Sequence, residues 1–342
     1  IHENVYTDAR NRAKDGQDYD FIDMYTDIAD FRIDESQYLK TGIEKLDKAI
    51  LGLGLGQLVI ITGTRAGGKT TLTGQLTCNF IDKGYSGLIC SFEMANPRLK
   101  NWLTLQALGS ENLRGYTTST GKELFYPRTK EVKKAVDDWI SSKLKVYDNA
   151  IFDAEKICSD ISEEIKKNPK IKFVILDNLM KIELDGMRES KWEAQSQIVK
   201  KLQHYAQRKN ICIILVAHPN KVKTLPRIED VGGSGDIINT ADTVLLVHRV
   251  TEDFKIRAGE YFGWKEGNPA LEYSNIIEIA KDREFGDDDS MVGVYFDPKS
   301  KRFLNRRDEV IRYGWDVSPT QERLKFGSTT LTEVEDGEEL SF

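Results

Sequence analysis

The residues with the clearest chemical meaning form a glycine-rich loop that begins at Gly63. The loop matches the pattern G-x-x-x-x-G-K-[ST], follows an apolar run typical of a buried strand and opens a predicted helix. Glycines let successive backbone N–H groups converge on phosphate, and the helix amino terminus adds partial positive charge. The sequence therefore predicts a site for a nucleoside triphosphate. Its predicted nucleotide-binding residues are Gly63, Thr64, Arg65, Ala66, Gly67, Gly68, Lys69, Thr70 and Thr71.

Two side chains of this loop and one carboxylate predict a magnesium site. Lys69 would reach the β- and γ-phosphates, and Thr70 would bind Mg²⁺ through its hydroxyl. A second metal partner is expected in Asp177, which follows the apolar run of residues 173–176 and would hold the ion through water. Taken alone, an aspartate at a strand end is more often a cap or turn residue. The phosphate loop upstream favours the metal role.

Glu93 is the candidate general base for hydrolysis. It follows a predicted strand, residues 88–92, that we expect to lie beside the strand of the phosphate loop. Ligands of open α/β sheets bind at the carboxyl ends of the strands, where Glu93 could polarise the attacking water. From position alone, a surface carboxylate is an equally good interpretation.

An α/β fold must position these residues. From Leu39 onward, short apolar, β-branched runs alternate with helical patterns, which is typical of a mostly parallel central sheet with helices on both faces. Asn96 and Pro97 indicate an N-cap followed by proline at the first helical position. The predicted strands span 57–62, 88–92, 144–147, 173–176, 211–216, 243–247, 275–281, 291–297 and 301–304, and the predicted helices span 69–83, 130–143, 153–168 and 191–209.

Strand positions within the sheet can also be predicted. The runs at 144–147, 173–176 and 211–216 lie between helices, so we expect them to be central parallel strands. The runs after residue 270 are expected to add antiparallel strands, with a turn at residues 298–300.

The chain divides into three predicted parts. Residues 1–36 form an acidic arm with apolar residues at helical spacing, which predicts an amphipathic helix packed on its own domain or on a neighbour. Residues 37–315 form the core, and residues 316–342 form an acidic, flexible tail. The apolar stripe of the arm consists of Phe21, Met24, Tyr25, Ile28 and Phe31.

The composition excludes few functions. The net charge of −6 over 342 residues neither supports nor excludes DNA binding, because a local basic patch would be sufficient. Four scattered cysteines without C-x-x-C pairing argue against a zinc site or a disulfide framework and favour a reducing compartment. No apolar run approaches 18 residues, so neither a membrane nor export is expected.

Six motifs together resemble the DnaB-type hexameric helicases over about residues 37–305. The chain is most similar to the phage primase-helicases and the mitochondrial replicative helicase, because His218 stands where bacterial enzymes usually carry Gln. Phe92 departs mildly from the common Leu. The resemblance implies a RecA-like P-loop NTPase core, an N-terminal linker helix and a C-terminal antiparallel hairpin. The motifs are residues 63–70, 91–94, 176–178, 217–218, 233–242 and 281–283.

The resemblance also implies roles for individual residues. Glu93 would be the catalytic base, and His218 the γ-phosphate sensor. Lys281 and Arg283, two apart on a predicted strand, share a face and would reach the nucleotide of the adjacent subunit as an arginine finger. A solvated pair of surface cations is the alternative for these two residues. If the site is shared between subunits, the apolar stripe of the arm would dock on a neighbour.

Two further groups follow from the same resemblance. Arg249 would stack on the nucleotide base with an aromatic residue such as Tyr295, although Asp297 could occupy that position. The loop after His218 would line a central channel and hold single-stranded DNA by its phosphates, with a flexible polar surface loop as the alternative. The predicted DNA-binding residues are Asn220, Lys221, Lys223, Arg227, Gly233, Ser234 and Gly235.

The sequence thus predicts an ATP-dependent replicative DNA helicase that forms a hexameric ring and uses ATP or dTTP with Mg²⁺. A RecA- or KaiC-like ATPase that acts as a filament or scaffold without unwinding is the alternative, and an accessory loader is a third possibility. Expected partners are single-stranded DNA, primase and a DNA polymerase recruited by the acidic tail ending in Phe342; the tail could also be only a solubilising end. The expected location is the cytoplasm, of a bacterial host if the protein is phage-encoded, in preference to the mitochondrial matrix.

Overall fold

The computed structural model describes residue 25 and residues 32–148, 153–182, 191–219, 225–231, 235–286 and 290–316. The predictions for the acidic tail, and for all of the arm's apolar stripe except Tyr25, lie outside the described residues. The same holds for the DNA-binding candidates Asn220, Lys221, Lys223, Gly233 and Ser234.

Nine of the described strands form one sheet. Its order is β13-β12-β11-β10-β3-β9-β8-β4-β7, in which β10 to β7 are parallel and the other three are antiparallel additions, as predicted. The members are β3 (Leu58–Gly63), β4 (Ser86–Ser91), β7 (Leu144–Val146), β8 (Ile171–Asp177), β9 (Cys212–Val216), β10 (Thr243–Arg249), β11 (Asn275–Asp282), β12 (Ser290–Asp297) and β13 (Arg302–Leu304).

Two small antiparallel pairs and eight α-helices accompany this sheet in the described part of the chain. The small pairs are β1 (Tyr38–Leu39) with β2 (Leu53–Gly54), and β5 (Leu113–Thr117) with β6 (Glu123–Pro127). The helices are α1 (Glu44–Ile50), α2 (Lys69–Asp82), α3 (Asn96–Leu108), α4 (Lys130–Ser141), α5 (Ala154–Lys167), α6 (Lys191–Lys209), α7 (Gly235–Thr240) and α8 (Glu252–Phe262).

The sheet separates two apolar cores. Alternate residues of β3 face opposite sides, so that Val59 and Ile61 join one core and Leu58 and Ile60 join the other. Helices α1, α2 and α3 cover the first face, and α5, α6 and α7 cover the second. Burial on both faces explains why the central strands are uninterrupted apolar runs.

Two predictions about strand order are wrong. Strand β7 lies at the edge of the sheet, and two of its three residues are exposed, so residues 144–146 are not central. Strand β4 lies three strands away from β3, because β9 and β8 separate them. Local hydrophobicity indicates that a strand is buried, but the crossover connections decide which strands are neighbours.

The helix boundaries agree with the sequence predictions more closely than the strand order does. The predictions for the helices at residues 69–83 and 191–209 are confirmed within one residue. Asp153 caps α5 by accepting a hydrogen bond from the backbone N–H of Lys156, at 2.8 Å. Asn96 is instead the first residue of α3, and Ala95 precedes it without a side-chain cap.

A buried arginine ties the last strand to the rest of the domain. Arg302 in β13 is 2% exposed and donates to three backbone carbonyls: those of Gln106, Ala107 at 3.0 Å and Ile311 at 2.7 Å. Its guanidinium lies 5.0 Å from the ring centroid of Tyr313. One side chain thus fixes β13 against the end of α3, and β13 carries Phe303 to the phosphate loop.

Replacing this residue tests its structural role. We expect Arg302→Ala to lower the free energy of unfolding by about 3 kcal/mol, because buried carbonyls lose charged donors. The matched control is Arg306→Ala, which removes an exposed ion pair with Glu44 and should cost less than about 1 kcal/mol. Urea unfolding followed by circular dichroism measures both. Equal effects of the two substitutions would contradict the assignment.

Candidate nucleotide-binding site

The phosphate loop packs against the backbone of a neighbouring strand. Gly63 has φ +142°, and a Cβ atom there would lie 2.2 Å from the backbone oxygen of Val247 in β10. Gly68 has φ +111°, and its Cβ would lie 2.7 Å from the ring of Phe303. Both positions require glycine for conformation and for space. The loop geometry is therefore set by β10 and β13 as well as by β3.

Two side chains, one from α2 and one from β11, donate hydrogen bonds to the backbone of the loop. The Lys69 ammonium donates to the carbonyl oxygens of Gly63 and Thr64, at 2.8 and 2.9 Å. Burial lowers the pKa of Lys69, and the nearby carboxylates of Glu93 and Asp177 oppose this effect. Asn275, the first residue of β11, donates through Nδ2 to the Gly67 carbonyl at 2.8 Å. From the sequence, Asn275 is predicted only as the start of a strand, and no local pattern indicates its contact with the loop.

Asp177 and Glu93 meet because their strands are neighbours. Asp177 ends β8 and lies opposite Ser91 in the register of β4, while Glu93 follows two residues after Ser91. Burial raises the pKa of Asp177 to about 6, and the charge of Glu93 adds to the rise. Glu93 thus approaches the loop from a strand that is not adjacent to β3.

The oxygen atoms of Asp177 and Thr70 are suited to bind a magnesium ion. Within the described part of the chain, the buried Oδ1 atom of Asp177 accepts no hydrogen bond, and Thr70 lines the same cavity. A buried carboxylate oxygen without a donor is a group that a hard cation satisfies, and oxygen ligands are those that Mg²⁺ prefers. Thr70 and Asp177 are the residues that would hold it.

Glu93 has two polar partners beside the cavity. His218 Nε2 lies 3.1 Å from Glu93 Oε2, and the Asn178 amide donates to the same oxygen at 3.3 Å. Burial alone would raise the pKa of Glu93, but the hydrogen bond and charge of His218, the hydrogen bond of Asn178 and the charge of Lys69 together lower it. These contacts favour the carboxylate form of Glu93.

One cavity of about 420 Å³ is lined by Arg249, by several apolar side chains and by the side chains of Lys69, Thr70, Glu93, Asp177 and His218. The aromatic residue that β12 contributes is Phe296. Tyr295, the suggested stacking partner, instead packs against Tyr273 at 4.8 Å and Arg307 at 4.5 Å, because neighbouring residues of a strand face opposite sides. Asp297 accepts hydrogen bonds in the turn after β12, from the backbone and hydroxyl groups of Ser300 among others.

Lys281 and Arg283 lie at the other end of the sheet. Because β11 runs antiparallel to β10, Asn275 reaches the phosphate loop while Asp282 lies opposite Thr243, at the level of Val59 near the start of β3. The six residues of β3 span about 20 Å at about 3.3 Å per residue. Neither cation lines the cavity of its own chain.

Both cations have partners around the end of α7. Lys281 donates to the carbonyls of Ile238 and Ala241, each at 2.8 Å. Arg283 pairs with Asp242 at 2.8 Å and donates to the Asn239 carbonyl at 2.6 Å. Both side chains therefore point to residues 238–242, as expected for two positions that lie two apart along a strand.

Arg227 is held within this chain. Its guanidinium lies 5.0 Å from the ring centroid of Phe262, and Nη1 lies 3.6 Å from Oε1 of Glu278. Glu278 is 1% exposed, and its other oxygen lies 2.7 Å from Nε2 of the buried His248. Of the predicted DNA-binding residues, only Arg227 and Gly235 are described, and Gly235 opens α7.

The parallel sheet, the phosphate loop and the carboxylates at the strand ends define a P-loop NTPase domain with a RecA-like core. The chain belongs to the DnaB-like helicase C terminal domain family, whose pattern matches residues 38–305. None of the helices described here is long and apolar enough to cross a membrane.

Relatives and solved structures agree with this membership. The chain is 25% identical over 259 residues to the replicative DNA helicase DnaB of Mycoplasma pneumoniae, covering 70% of this chain and 50% of that protein. It is 24% identical over 217 residues to the helicase of the same name from Helicobacter pylori strain 26695, covering 62% and 43%. The chain therefore spans about half the length of these relatives or less.

Two solved structures share the fold. One, described as an ATPase domain, superposes with a TM-score of 0.61 at 18% identity, covering 89% of this chain and 99% of that one. A DnaB-like replicative helicase, described with its interactions with primase, superposes with a TM-score of 0.63 at 19% identity, covering 88% and 72%.

The close packing of the phosphate loop gives a first prediction for the site. We expect Gly63→Ala to weaken nucleotide binding at least about tenfold, because the added Cβ forces the loop away from β10. A fluorescent ATP analogue measures the affinity. Gly115→Ala is the control, since a Cβ there meets only Phe125, at 3.6 Å. Unchanged affinity in Gly63→Ala would show that the close contact is dispensable.

The contacts of Arg227 give a second prediction. We expect Arg227→Ala to lower the free energy of unfolding by about 2 kcal/mol, because it leaves the buried Glu278 with a single partner and removes the contact with Phe262. Adding Glu278→Gln should recover part of the loss. Thermal melting measures both changes, with Arg257→Ala as an exposed control. A melting temperature equal to that of the wild type would contradict this structural role of Arg227.

Proposed function

We propose that this chain is the motor domain of an ATP-dependent replicative DNA helicase, which works as a ring on single-stranded DNA. One observation carries the proposal. The groups that we propose to bind and hydrolyse a triphosphate line one cavity, whereas Lys281 and Arg283 lie at the opposite end of the same sheet. An isolated chain would therefore lack cations that a neighbouring copy can supply.

The cavity supports a hydrolytic role for its residues. Backbone N–H groups of the loop would surround the phosphates, and Lys69 would exchange its contacts with Gly63 and Thr64 for phosphate oxygens. The Glu93 carboxylate would accept a proton from the attacking water. Arg249 and the apolar wall would hold the base and sugar. We propose ATP, or dTTP, as the substrate.

Magnesium is the proposed cofactor, and when bound it would neutralise negative charge of the β- and γ-phosphates. Thr70 and Asp177 are the residues of this chain that would hold it. Asp177 is suited to this role because its buried oxygen lacks a hydrogen-bond donor in the described region and because burial already disfavours its charge without a cation.

The position of Lys281 and Arg283 supports a shared site. In a head-to-tail ring, the end of the sheet that carries these residues in one copy would face the phosphate loop of the next. Arg283 would then exchange its pairing with Asp242 for a γ-phosphate oxygen of the neighbour. His218 contacts Glu93 and is followed directly by the predicted DNA loop, which supports its role as a sensor.

The DNA contacts and the partners remain proposals. We propose that Asn220, Lys221, Lys223, Gly233, Ser234 and Gly235 approach the phosphates of one strand, with Arg227 anchoring the end of that loop. Primase is a proposed partner because one structural neighbour is described with primase. Binding of a polymerase by the acidic tail, the phage or mitochondrial origin and the cellular compartment stay predictions.

Mixing two inactive variants tests the shared site. We expect Glu93→Gln and Arg283→Ala each to abolish hydrolysis, while Arg283→Ala still binds nucleotide. In a random equimolar mixture, roughly one interface in four would pair an intact Glu93 with an intact Arg283 of the neighbour, so part of the activity should return. Phosphate release in the presence of single-stranded DNA measures turnover.

The controls separate the possible failures. A mixture of Glu93→Gln with Lys69→Ala should stay inactive, because both changes affect the same side of the interface. If the first mixture also stays inactive although the subunits exchange, Arg283 does not complete a neighbour's site. If Arg283→Ala alone keeps normal turnover, the shared-site proposal fails. Electron microscopy would show whether the protein forms closed rings or filaments, and a strand-displacement assay would show whether it unwinds duplex DNA. Closed rings with unwinding indicate a helicase, and filaments without unwinding indicate a filament-forming ATPase.

A further inference from the structure

A two-stranded hairpin projects from the domain next to α3 and α4. Its strands, β5 and β6, pair antiparallel with Leu113 opposite Pro127 and Thr117 opposite Glu123. One face packs on the domain: Leu113 is buried, and Phe125 contacts the cluster formed by the ends of α3 and α4. This element was not predicted from the sequence, and none of its residues lines the nucleotide cavity.

The opposite face of the hairpin combines cations with tyrosines. Because side chains alternate along a strand, residues of even number in this register share the outer side. Tyr116 is 59% exposed, Tyr126 is 44% exposed, and the cations are exposed as well. We call this set the outer hairpin face; it consists of the strand residues Arg114, Tyr116, Leu124 and Tyr126, together with Lys122 and Arg128, which flank β6 and continue its backbone hydrogen bonding to the other arm of the hairpin.

The charges of this face are not neutralised locally. Among the residues that the structure describes, Arg114, Lys122 and Arg128 form no ion pair, and the outer hairpin face contains no carboxylate. On the adjoining helix α4, by contrast, Lys133 and Lys134 pair with the aspartates four residues later. These three cations on one small face are therefore available to an anionic ligand, although the net charge of the chain is −6.

The arrangement favours one kind of anion. Arg114 lies directly opposite Tyr126, and Tyr116 lies opposite Leu124, so tyrosine rings and positive charges lie side by side on this face. Single-stranded nucleic acid presents both complementary groups, since its bases stack on aromatic rings and its phosphates pair with cations. A duplex offers phosphates but no free base faces for the tyrosines.

We propose that the outer hairpin face is a second binding surface for single-stranded DNA, separate from the loop that follows His218. This inference rests on the proposed function, because it assumes that such a strand is a ligand of the protein. Binding should show little sequence preference, since stacking and phosphate contacts do not depend on base identity.

The test uses the full chain, a non-hydrolysable ATP analogue and a fluorescein-labelled oligothymidine. Replacing Arg114, Lys122 and Arg128 by Gln should weaken binding at least about tenfold and reduce the salt slope by about 2, because three phosphate contacts are lost. The matched control, Lys133→Gln with Lys134→Gln, should leave both quantities unchanged. ATP hydrolysis without DNA should be the same in all three proteins.

The tyrosines provide an independent measurement. Tyr116→Ala with Tyr126→Ala should weaken binding at least about tenfold, whereas the Phe substitutions should retain it, because a phenyl ring still stacks on a base. With an oligonucleotide that contains 5-iodouridine, ultraviolet light should crosslink the peptide that carries Tyr116 or Tyr126. A purely structural role for the rings would produce no crosslink.

Each outcome decides the question. Wild-type binding by the Gln variant, or no crosslink to residues 113–128, overturns the inference and leaves the proposed function intact. Loss of the oligomer in light scattering of the Gln variant also overturns it, because the outer hairpin face would then be a contact between copies. If the wild-type protein itself does not bind the oligonucleotide, the proposed function fails together with this inference.

Discussion

The contact between the phosphate loop and the backbone of β10 is the constraint on which the rest of the structure depends. Gly63 and Gly67 both face the Val247 carbonyl, where a side chain would not fit. The loop shape is therefore imposed by a strand that lies far along the chain from it. Asn275 and Phe303 complete this support from β11 and β13. The antiparallel additions are part of the nucleotide site because they form the wall against which the loop is shaped.

The electrostatic balance of the cavity follows from the same packing. Lys69, Asp177 and Glu93 are close together, and burial opposes the charge of Lys69 and of Asp177. Burial would also raise the pKa of Glu93, but the hydrogen bond with His218 and the proximity of Lys69 contribute to lowering it. Such a site is suited to a ligand that brings both negative phosphates and a cation, because each would compensate one of the buried charges.

Local chemistry was predictable from the sequence, and long-range contacts were not. The loop, Asp177 and the helices from 69 and 191 follow from spacing and periodicity, which depend on neighbouring residues. Which strand lies beside β3 depends on the crossovers, so β4 was predicted beside it and β7 was predicted to be central. Asn275, Arg302 and Glu278 act on groups that are distant in sequence and lack a local signature. The hairpin had one usable signal, the turn at Thr118–Gly121 between two short runs, but most of its residues are exposed.

Strand β11 touches the phosphate loop of its own copy at Asn275 and ends at the pair of cations that the proposed ring directs to the next copy. A strand embedded in a sheet scarcely stretches, so its two ends keep a fixed separation. In a closed ring, the β11 strand of each copy would thus connect the pocket of that copy with the pocket of the next one. A shift of the phosphate loop in one copy would therefore change the position of the cations that this copy offers to the next one.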